Sequence, residues 1–319
     1  MTETKPDTLG TPDRRRFLRT ATAFGLGSCV PGLVASSVQA AALPVLESGE
    51  LQIVSDGQLS LPRSFAFPDS ADNEELTELL AAHGLEGDTL MPDCNVTLWR
   101  HADRLILFDV GAGPNFMPGT GQLLENLANL DIDPMEVTDV VFTHAHPDHL
   151  WGVLDDFDEL ICPNATYHMS AIEWDYWRAP GTLDKTPEAR QSFVVGARNR
   201  MAVIEQVISL FDAGQEVVPG VEAIATYGHT PGHTSFSLNT SDGPVVLLGD
   251  VLTNVAVSFA RPDWHTGADQ NPEQAANTRL ALLERLVAEQ TAIVGFHLPH
   301  PGVGRVERDG KYYRFAVSG

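Results

Sequence analysis

Val140-Val141-Phe142-Thr143-His144-Ala145-His146-Pro147-Asp148-His149 is the stretch on which the reading of this chain turns. Its first four residues are β-branched or aromatic, the composition of a short buried strand. The six that follow make the loop at that strand's C-terminal end and bring three imidazoles and one carboxylate together. Such donors suit zinc and other first-row cations, and an open coordination position makes a site of this kind catalytic. The chain has only 11 His in 319 residues. Three of them within six positions argue against a surface loop that is His-rich by accident.

Three further residues share one setting, just past an apolar strand. His229 stands in Gly228-His229-Thr230-Pro231-Gly232-His233, Asp250 follows Val246-Leu247-Leu248-Gly249, and His297 follows Val294-Gly295-Phe296. Singly, a His is usually structural and an Asp after a strand usually caps a turn. With the first cluster they give five imidazoles and two carboxylates, enough to hold two metals with Asp250 between them. Paired cations repel unless anionic oxygen separates them. A spacing of about 3.5–4 Å lets one hydroxide bridge both, and the pKa of that water falls from about 15.7 to roughly 7. No Gly-x-Ser-x-Gly elbow and no phosphate-binding loop offers a rival site.

Composition narrows the partners. A hydrophobic fraction of 43% and a charged fraction of 20% describe a soluble globular chain with ample core. The net charge of -23 disfavours nucleic acid and anionic membrane surfaces, which demand clustered Lys and Arg. A small-molecule substrate is expected instead, and a homodimer is compatible with everything in the sequence.

Asp13-Arg14-Arg15-Arg16-Phe17-Leu18-Arg19 has the form of a twin-arginine export signal, followed by a mild apolar run to Val38. Residues 1–40 are therefore read as the signal and 41–319 as one catalytic domain in the periplasm. Gly25, Gly27, Pro31 and Gly32 break the run short of a membrane span, so no transmembrane segment is expected in the mature chain. A lipid anchor on Cys29, within Leu26-Gly27-Ser28-Cys29, is the alternative to cleavage near Ala41. The removed segment carries five basic and three acidic residues, which leaves -25 on the mature chain. Cys94 and Cys162 remain, and two buried free thiols are expected.

In chain order, Leu51 to Val54 and the run after Gly57 read as an opening hairpin. Asn73-Glu74-Glu75 opens a helix that His83-Gly84 closes. Strands follow at 95–99 and 105–109, with His101 a solvated turn residue between them, and Gly111 and Gly113 lead away. Helices are expected from Leu123, at Pro134, over 171–177 and over 188–204, and a strand at 166–168 contains His168 as a satisfied core residue. Strand-like runs recur at 207–210, 221–225, 236–238 and 245–248, with Asp242-Gly243 as a turn signal. Asn271-Pro272-Glu273 caps a long helix, and strands at 292–296 and 311–317 close the chain. Two runs of strands, each bordered by helices, predict two sheets face to face with helices outside.

On these residues the sequence resembles the metallo-β-lactamase superfamily, whose fold is an αββα sandwich with a metal site at its edge. The resemblance implies that His144, His146 and His229 hold one metal, that Asp148, His149 and His297 hold a second, and that Asp250 bridges. It also implies supporting roles for Asp109 and His233 behind the ligands. Two divalent ions are implied, zinc first, with manganese, cobalt or iron as alternatives. Within the superfamily the chain is most similar in look to the methyl parathion hydrolase group, through Phe108 to Gly113, Thr230-Pro231-Gly232-His233 and His297 to Gly302. Phe116, Trp177 and Phe193 fall where that group places pocket aromatics, ordinary core packing being the alternative.

Departures sharpen the expectation. Acyl-homoserine lactonases of the superfamily often carry Tyr three residues past the bridging Asp, where this chain has Thr253. True β-lactamases generally lack the bridging Asp, and the superfamily's ribonucleases need a basic surface. The expected activity is therefore hydrolysis of an activated ester, lactone or organophosphate triester by a metal-bridging hydroxide, with Asp148 and Asp250 catalytic. An N-acyl-homoserine lactonase and a non-catalytic periplasmic metal-binding protein are the alternatives.

Overall fold

Leu105-Ile106-Leu107-Phe108 shows why the chain builds layers. Successive strand side chains point to opposite faces, and here all four are buried. A strand apolar on both sides needs cover on both sides. Leu105 and Leu107 pack into a core beneath helices, while Ile106 and Phe108 join a core shared with a second sheet. The computed structural model describes residues 50–69 and 73–317; the expected twin-arginine segment and Cys29 lie outside them.

The strands of the first half are β1 (Leu51–Gln58), β2 (Leu61–Pro62), β3 (Thr89–Leu90), β4 (Asp93–His101), β5 (Arg104–Phe108), β6 (Asp139–Val141), β7 (Thr166–Ser170) and β8 (Ile208–Phe211). Those of the second are β9 (Glu216–Val218), β10 (Val221–Ala225), β11 (Thr234–Thr240), β12 (Gly243–Leu247), β13 (Ala292–Val294), β14 (Val303–Asp309) and β15 (Tyr312–Val317). One sheet has the order β1-β4-β5-β6-β7-β8 and the other β15-β14-β13-β12-β11-β10-β9, with β2 and β3 as a small separate pair. The helices are α1 (Arg63–Ala66), α2 (Glu74–Ala81), α3 (Leu123–Asn129), α4 (Pro147–Leu150), α5 (Ala171–Arg178), α6 (Thr182–Lys185), α7 (Gln191–Ile204), α8 (Val257–Ala260) and α9 (Pro272–Glu289). Trp99, Phe211, Phe236 and Leu247 fill the space between the sheets. Residues of α3, α5 and α7 cover the outer face of the first sheet, and Leu282, Leu283 and Leu286 of α9 cover the second. This is the αββα sandwich expected from the sequence.

Parallel pairing positions the site. Strands β5, β6, β7 and β8 run parallel in the first sheet, and β12 and β13 run parallel in the second, with Leu247 opposite Val294. Asp250 and His297 each lie three residues past that pair, so one register delivers both to one edge. Phe108 lies opposite Val141, which brings Asp109 and the His144 loop out at the matching edge of the first sheet.

Some elements depart from the sequence reading. No opening hairpin forms: β1 pairs antiparallel with the distant β4, and β2 pairs with β3. The apolar run of β1 gains more by lying against β4, where Leu51 and Ile53 reach the core between the sheets. Strand β6 stops at Val141 because the Thr143 N–H leaves the ladder for the Asp109 carboxylate, 2.8 Å away. His101 is half-buried, not solvated, and stacks on Trp99 at 4.4 Å. His168 is a satisfied core residue, 3.0 Å from Asp139. Cys94 and Cys162 are buried and unpaired. Among the described residues no helix is long and apolar enough to cross a membrane.

Candidate metal centre

The loop after β6 and its continuation into α4 place four side chains in one small volume. Pro147 starts α4 at a position that needs no N–H, and His144, His146, Asp148 and His149 are all buried. Two groups of donor atoms form, each with its members within 4.8 Å of one another: His144, His146, His229 and Asp250, then Asp148, His149, Asp250 and His297. Asp250 belongs to both. Its Oδ2 lies 3.2 Å from His229 Nε2 and 3.3 Å from His297 Nε2, and its Oδ1 lies 3.1 Å from His149 Nε2. Asp148 Oδ2 lies 3.1 Å from His297 Nε2.

The ring protons are fixed from outside. Thr143 Oγ1 donates to Asp109 Oδ2 at 2.8 Å, so it accepts from His144 Nδ1 at 3.0 Å. His149 Nδ1 donates to Asp109 Oδ2 at 2.8 Å, and His229 Nδ1 to Asp269 Oδ1 at 3.0 Å. His297 Nδ1 donates to the carbonyl of Asp93 at 2.8 Å. Each of these four rings therefore turns its Nε2 inward, towards two carboxylates, while an outer partner holds Nδ1, the arrangement that orients imidazole on a cation.

These residues fit a pair of metal ions. His149 Nε2 and Asp250 Oδ1 are buried without a hydrogen-bond partner, a costly state unless a cation satisfies them. His144 Nε2, His146 Nδ1 and His229 Nε2 are spaced 3.0 and 2.9 Å apart, close to the edge of about 3.3 Å of a tetrahedron whose metal–nitrogen bonds are 2.0–2.1 Å. Burial opposes charge on His229, but Asp250 and Asp269 overcome it and raise its pKa to about 9. Burial likewise opposes charge on His149 and His297, and Asp250 and Asp148 raise both well above the usual range. A field that draws protons this strongly draws divalent cations for the same reason.

His233 serves differently. Its Nδ1 lies 3.1 Å from the Thr226 carbonyl and its Nε2 accepts the Asp250 N–H at 2.9 Å. Burial, then the neighbouring His229, lowers its pKa to about 3, so it stays neutral and holds the backbone of Asp250. Gly249 beside it has φ +55°, and a Cβ there would stand 2.6 Å from His233 Nε2. Asp109 also adopts positive φ, 60°, which lets one carboxylate reach both Thr143 and His149.

Asp269 and Arg279 were not visible as functional residues in the sequence. Asp269 holds His229, and its Oδ2 accepts from Arg279 Nη2 at 3.0 Å. Arg279, 2% exposed, also donates to the carbonyls of Val251, Pro262 and Trp264. It thereby ties α9 to the loop that follows Asp250. Asp269 precedes the Asn271 cap by two residues and reads as turn chemistry, so no local pattern singles it out.

A cavity of about 610 Å³ opens over the cluster, and His146, Asp148 and His297 line its inner end. Leu59, Leu61, Phe65, Phe67, Leu90 and Met117 make most of the rest apolar. Phe116 and Phe193 line it as well, their rings 6.1 Å apart, and Thr253 stands in the wall. Trp177 does not line it. It is 2% exposed, its ring packs edge-on to His146 at 5.7 Å, and its N–H donates to Glu173 at 2.6 Å. An indole N–H needs an acceptor when buried, and Glu173, one turn earlier on α5, supplies it.

Comparison with known proteins agrees with this geometry. Residues 92–297 match the family model of the metallo-beta-lactamase superfamily. Metallo-beta-lactamase domain-containing protein 1 of Xenopus laevis is 29% identical over 199 residues, covering 62% of this chain and 69% of its own. The solved structure of AidC, described as a dizinc quorum-quenching lactonase in complex with a product, is 25% identical with a TM-score of 0.78, covering 84% of this chain and 94% of its own. AbOPH, described as a hydrolase in the beta lactamase superfamily, is 29% identical with a TM-score of 0.78, covering 85% and 95%.

Proposed function

Since the chain belongs to the metallo-beta-lactamase superfamily, we propose that it is a two-metal hydrolase of small, largely apolar esters, lactones or phosphotriesters. The observation that carries this reading is the seven-residue cluster at the inner end of an apolar cavity of about 610 Å³. When bound, two divalent cations supply Lewis acidity and a water ionised near neutral pH.

The chain's own residues do the rest. His144, His146 and His229 on one side, and Asp148, His149 and His297 on the other, would hold the cations, with Asp250 belonging to both groups. Asp148 lines the cavity, with Oδ2 3.1 Å from His297 Nε2, and we assign to its carboxylate the acceptance of the attacking water's proton and its return to the leaving group. Phe116 and Phe193 give the apolar part of the substrate a rigid wall and exclude water. The group inserted there is an aryl or acyl group, since Leu, Phe, Met and Pro side chains make much of the lining apolar.

A lactone with an acyl tail is the second reading, favoured by the likeness to AidC. The similarity in look to the methyl parathion hydrolase group favours aryl phosphotriesters, and Thr253 in the cavity wall, where the lactonases often have Tyr, leaves room for an aryl group. The twin-arginine segment expected from the sequence supports a periplasmic location for this activity. The test is metal content together with steady-state kinetics on aryl esters, aryl phosphotriesters and N-acyl-homoserine lactones, side by side on zinc- and cobalt-loaded protein. Fully metallated protein that turns over none of the three would refute the proposal, and kcat/KM largest for the lactone would select the second reading.

A further inference from the structure

Glu173 is 0% exposed and sits in the first turn of α5. Its carboxylate faces four donors. Oε1 accepts from the Ala145 N–H at 3.0 Å and from Trp177 Nε1 at 2.6 Å. Oε2 accepts from Thr230 Oγ1 at 2.7 Å and from the Gly232 N–H at 2.9 Å. Ala145 lies between His144 and His146, while Thr230 and Gly232 follow His229 directly. One side chain thus holds both loops that carry the three histidines of one donor group, though those loops are more than 80 residues apart in sequence.

Close packing reinforces the link. A Cβ at Gly232 would lie 2.2 Å from the Glu173 N, so this loop seats directly on the start of α5. Trp177, anchored by the same carboxylate, presses its ring against His146. The other donor group is secured by different residues: Asp109 holds His149, and the Asp93 carbonyl holds His297. Burying a carboxylate this deeply is costly unless donors fill its lone pairs, and the four donors come from α5 and these two loops.

We infer that Glu173 is a positioning residue that sets the geometry of the His144–His146–His229 donor group selectively, leaving Asp148, His149 and His297 to other supports. The inference rests on the two-metal reading of the site. Glu173 touches no ligand ring and takes no part in the reaction. It fixes the backbone from which the rings project.

Glu173→Gln tests it. Whichever way the amide lies, its NH2 faces at least one N–H, from Ala145 and Trp177 on one side or from Gly232 on the other, so a loop anchor is lost. The experiment titrates the metal-free full chain with cobalt(II), reads the visible absorption bands, and repeats the titration against a chromophoric chelator. Wild type is expected to take two equivalents. In Glu173→Gln one equivalent keeps its affinity and bands, and the other weakens about 10–100-fold, the usual consequence of losing an outer partner. Adding Glu173→Gln to His229→Ala should cause little further loss, whereas adding it to His297→Ala should weaken the equivalent that remains. Thr230→Val, which removes one donor and leaves the carboxylate in place, should shift the same equivalent by less, and serves if Glu173→Gln does not fold.

Two equivalents held with wild-type affinity and bands in both variants would overturn the inference, and so would equal weakening of both equivalents, the signature of a general structural role. Wild-type protein that binds no cobalt would instead overturn the two-metal reading on which the inference stands.

Discussion

Replacing Asp269 by Asn removes one charge from a fully enclosed chain of contacts and leaves its shape almost unchanged. The wild-type carboxylate accepts from His229 Nδ1 and from Arg279 Nη2, each at 3.0 Å. The amide can serve one of these donors with its oxygen, and its NH2 then faces the other. If the NH2 faces His229, the ring must move its proton to Nε2 and can no longer offer that nitrogen to a cation. If it faces Arg279, two sets of N–H groups oppose each other. In both cases the guanidinium, 2% exposed, loses its only carboxylate partner among the described residues. Breaking a buried ion pair from one side costs about 3–5 kcal/mol. At roughly 2–4 °C per kcal/mol for a domain of this size, Tm of the metal-free protein should fall on the order of 10 °C. Affinity at one metal position should fall about 10–100-fold, which is about 1.4–2.7 kcal/mol. Scanning calorimetry of the metal-free protein and chelator competition of the loaded protein measure the two effects separately. Wild-type Tm together with wild-type affinity for both ions would refute the reasoning.

Other expectations follow from the same contacts. Asp250→Ala should drop the metal content below two equivalents and lower turnover by more than about 100-fold, beyond the loss typical of an outer partner; elemental analysis and kcat on one aryl ester decide it, and full activity would exclude the shared-ligand role. Phe193→Ala removes part of the cavity wall, worth about 1–1.5 kcal/mol of apolar contact, so KM for a bulky aryl substrate should rise roughly 5–10-fold with kcat nearly unchanged, while an acetyl ester should be little affected. Burial works against charge on Asp139, but His168, Thr138 and Arg104 outweigh it and hold its pKa down at about 2. That lies below the unfolded value near 3.9, so its contribution to stability is complete above about pH 4 and is lost as pH falls through about 2. In urea unfolding, the gap between wild type and Asp139→Asn should be wide at pH 6 and close towards pH 2; a gap that grows on acidification would contradict the assignment.

The sandwich was legible because strands buried on both faces advertise themselves. Runs such as Leu105 to Phe108 have no polar side to show to water, and helices with one apolar stripe must cover them. The opening hairpin expected from the sequence fails to form for the complementary reason: β1 and the run after Gly57 carry the right composition, but composition does not say which strand is the partner. Only the distant β4 offers β1 a place in the core between the sheets. His101 follows the same logic: a turn residue reads as solvated, and only the fold sets Trp99 against its ring.

At the centre itself, chain order alone picked out the seven residues that the fold brings together. Histidine is scarce here, 11 residues in 319, and its recurrence just past apolar strands marks sites where a scaffold holds a side chain that no ladder consumes. Carboxylates are common, 43 of them, and nothing local distinguishes Asp269 or Glu173 from a solvated cap. Their roles arise from burial against residues far along the chain, as Asp269 meets His229 and Glu173 meets Ala145 and Gly232. The aromatics divide for the same reason: Phe193 faces the cavity, whereas Trp177, on the same wall of helices, turns inward because its N–H finds an acceptor there. Residue chemistry and periodicity were written into the sequence, but which charges lose their water was decided only when the sheets closed on each other, because desolvation belongs to the assembled surroundings of a side chain and not to its neighbours along the chain.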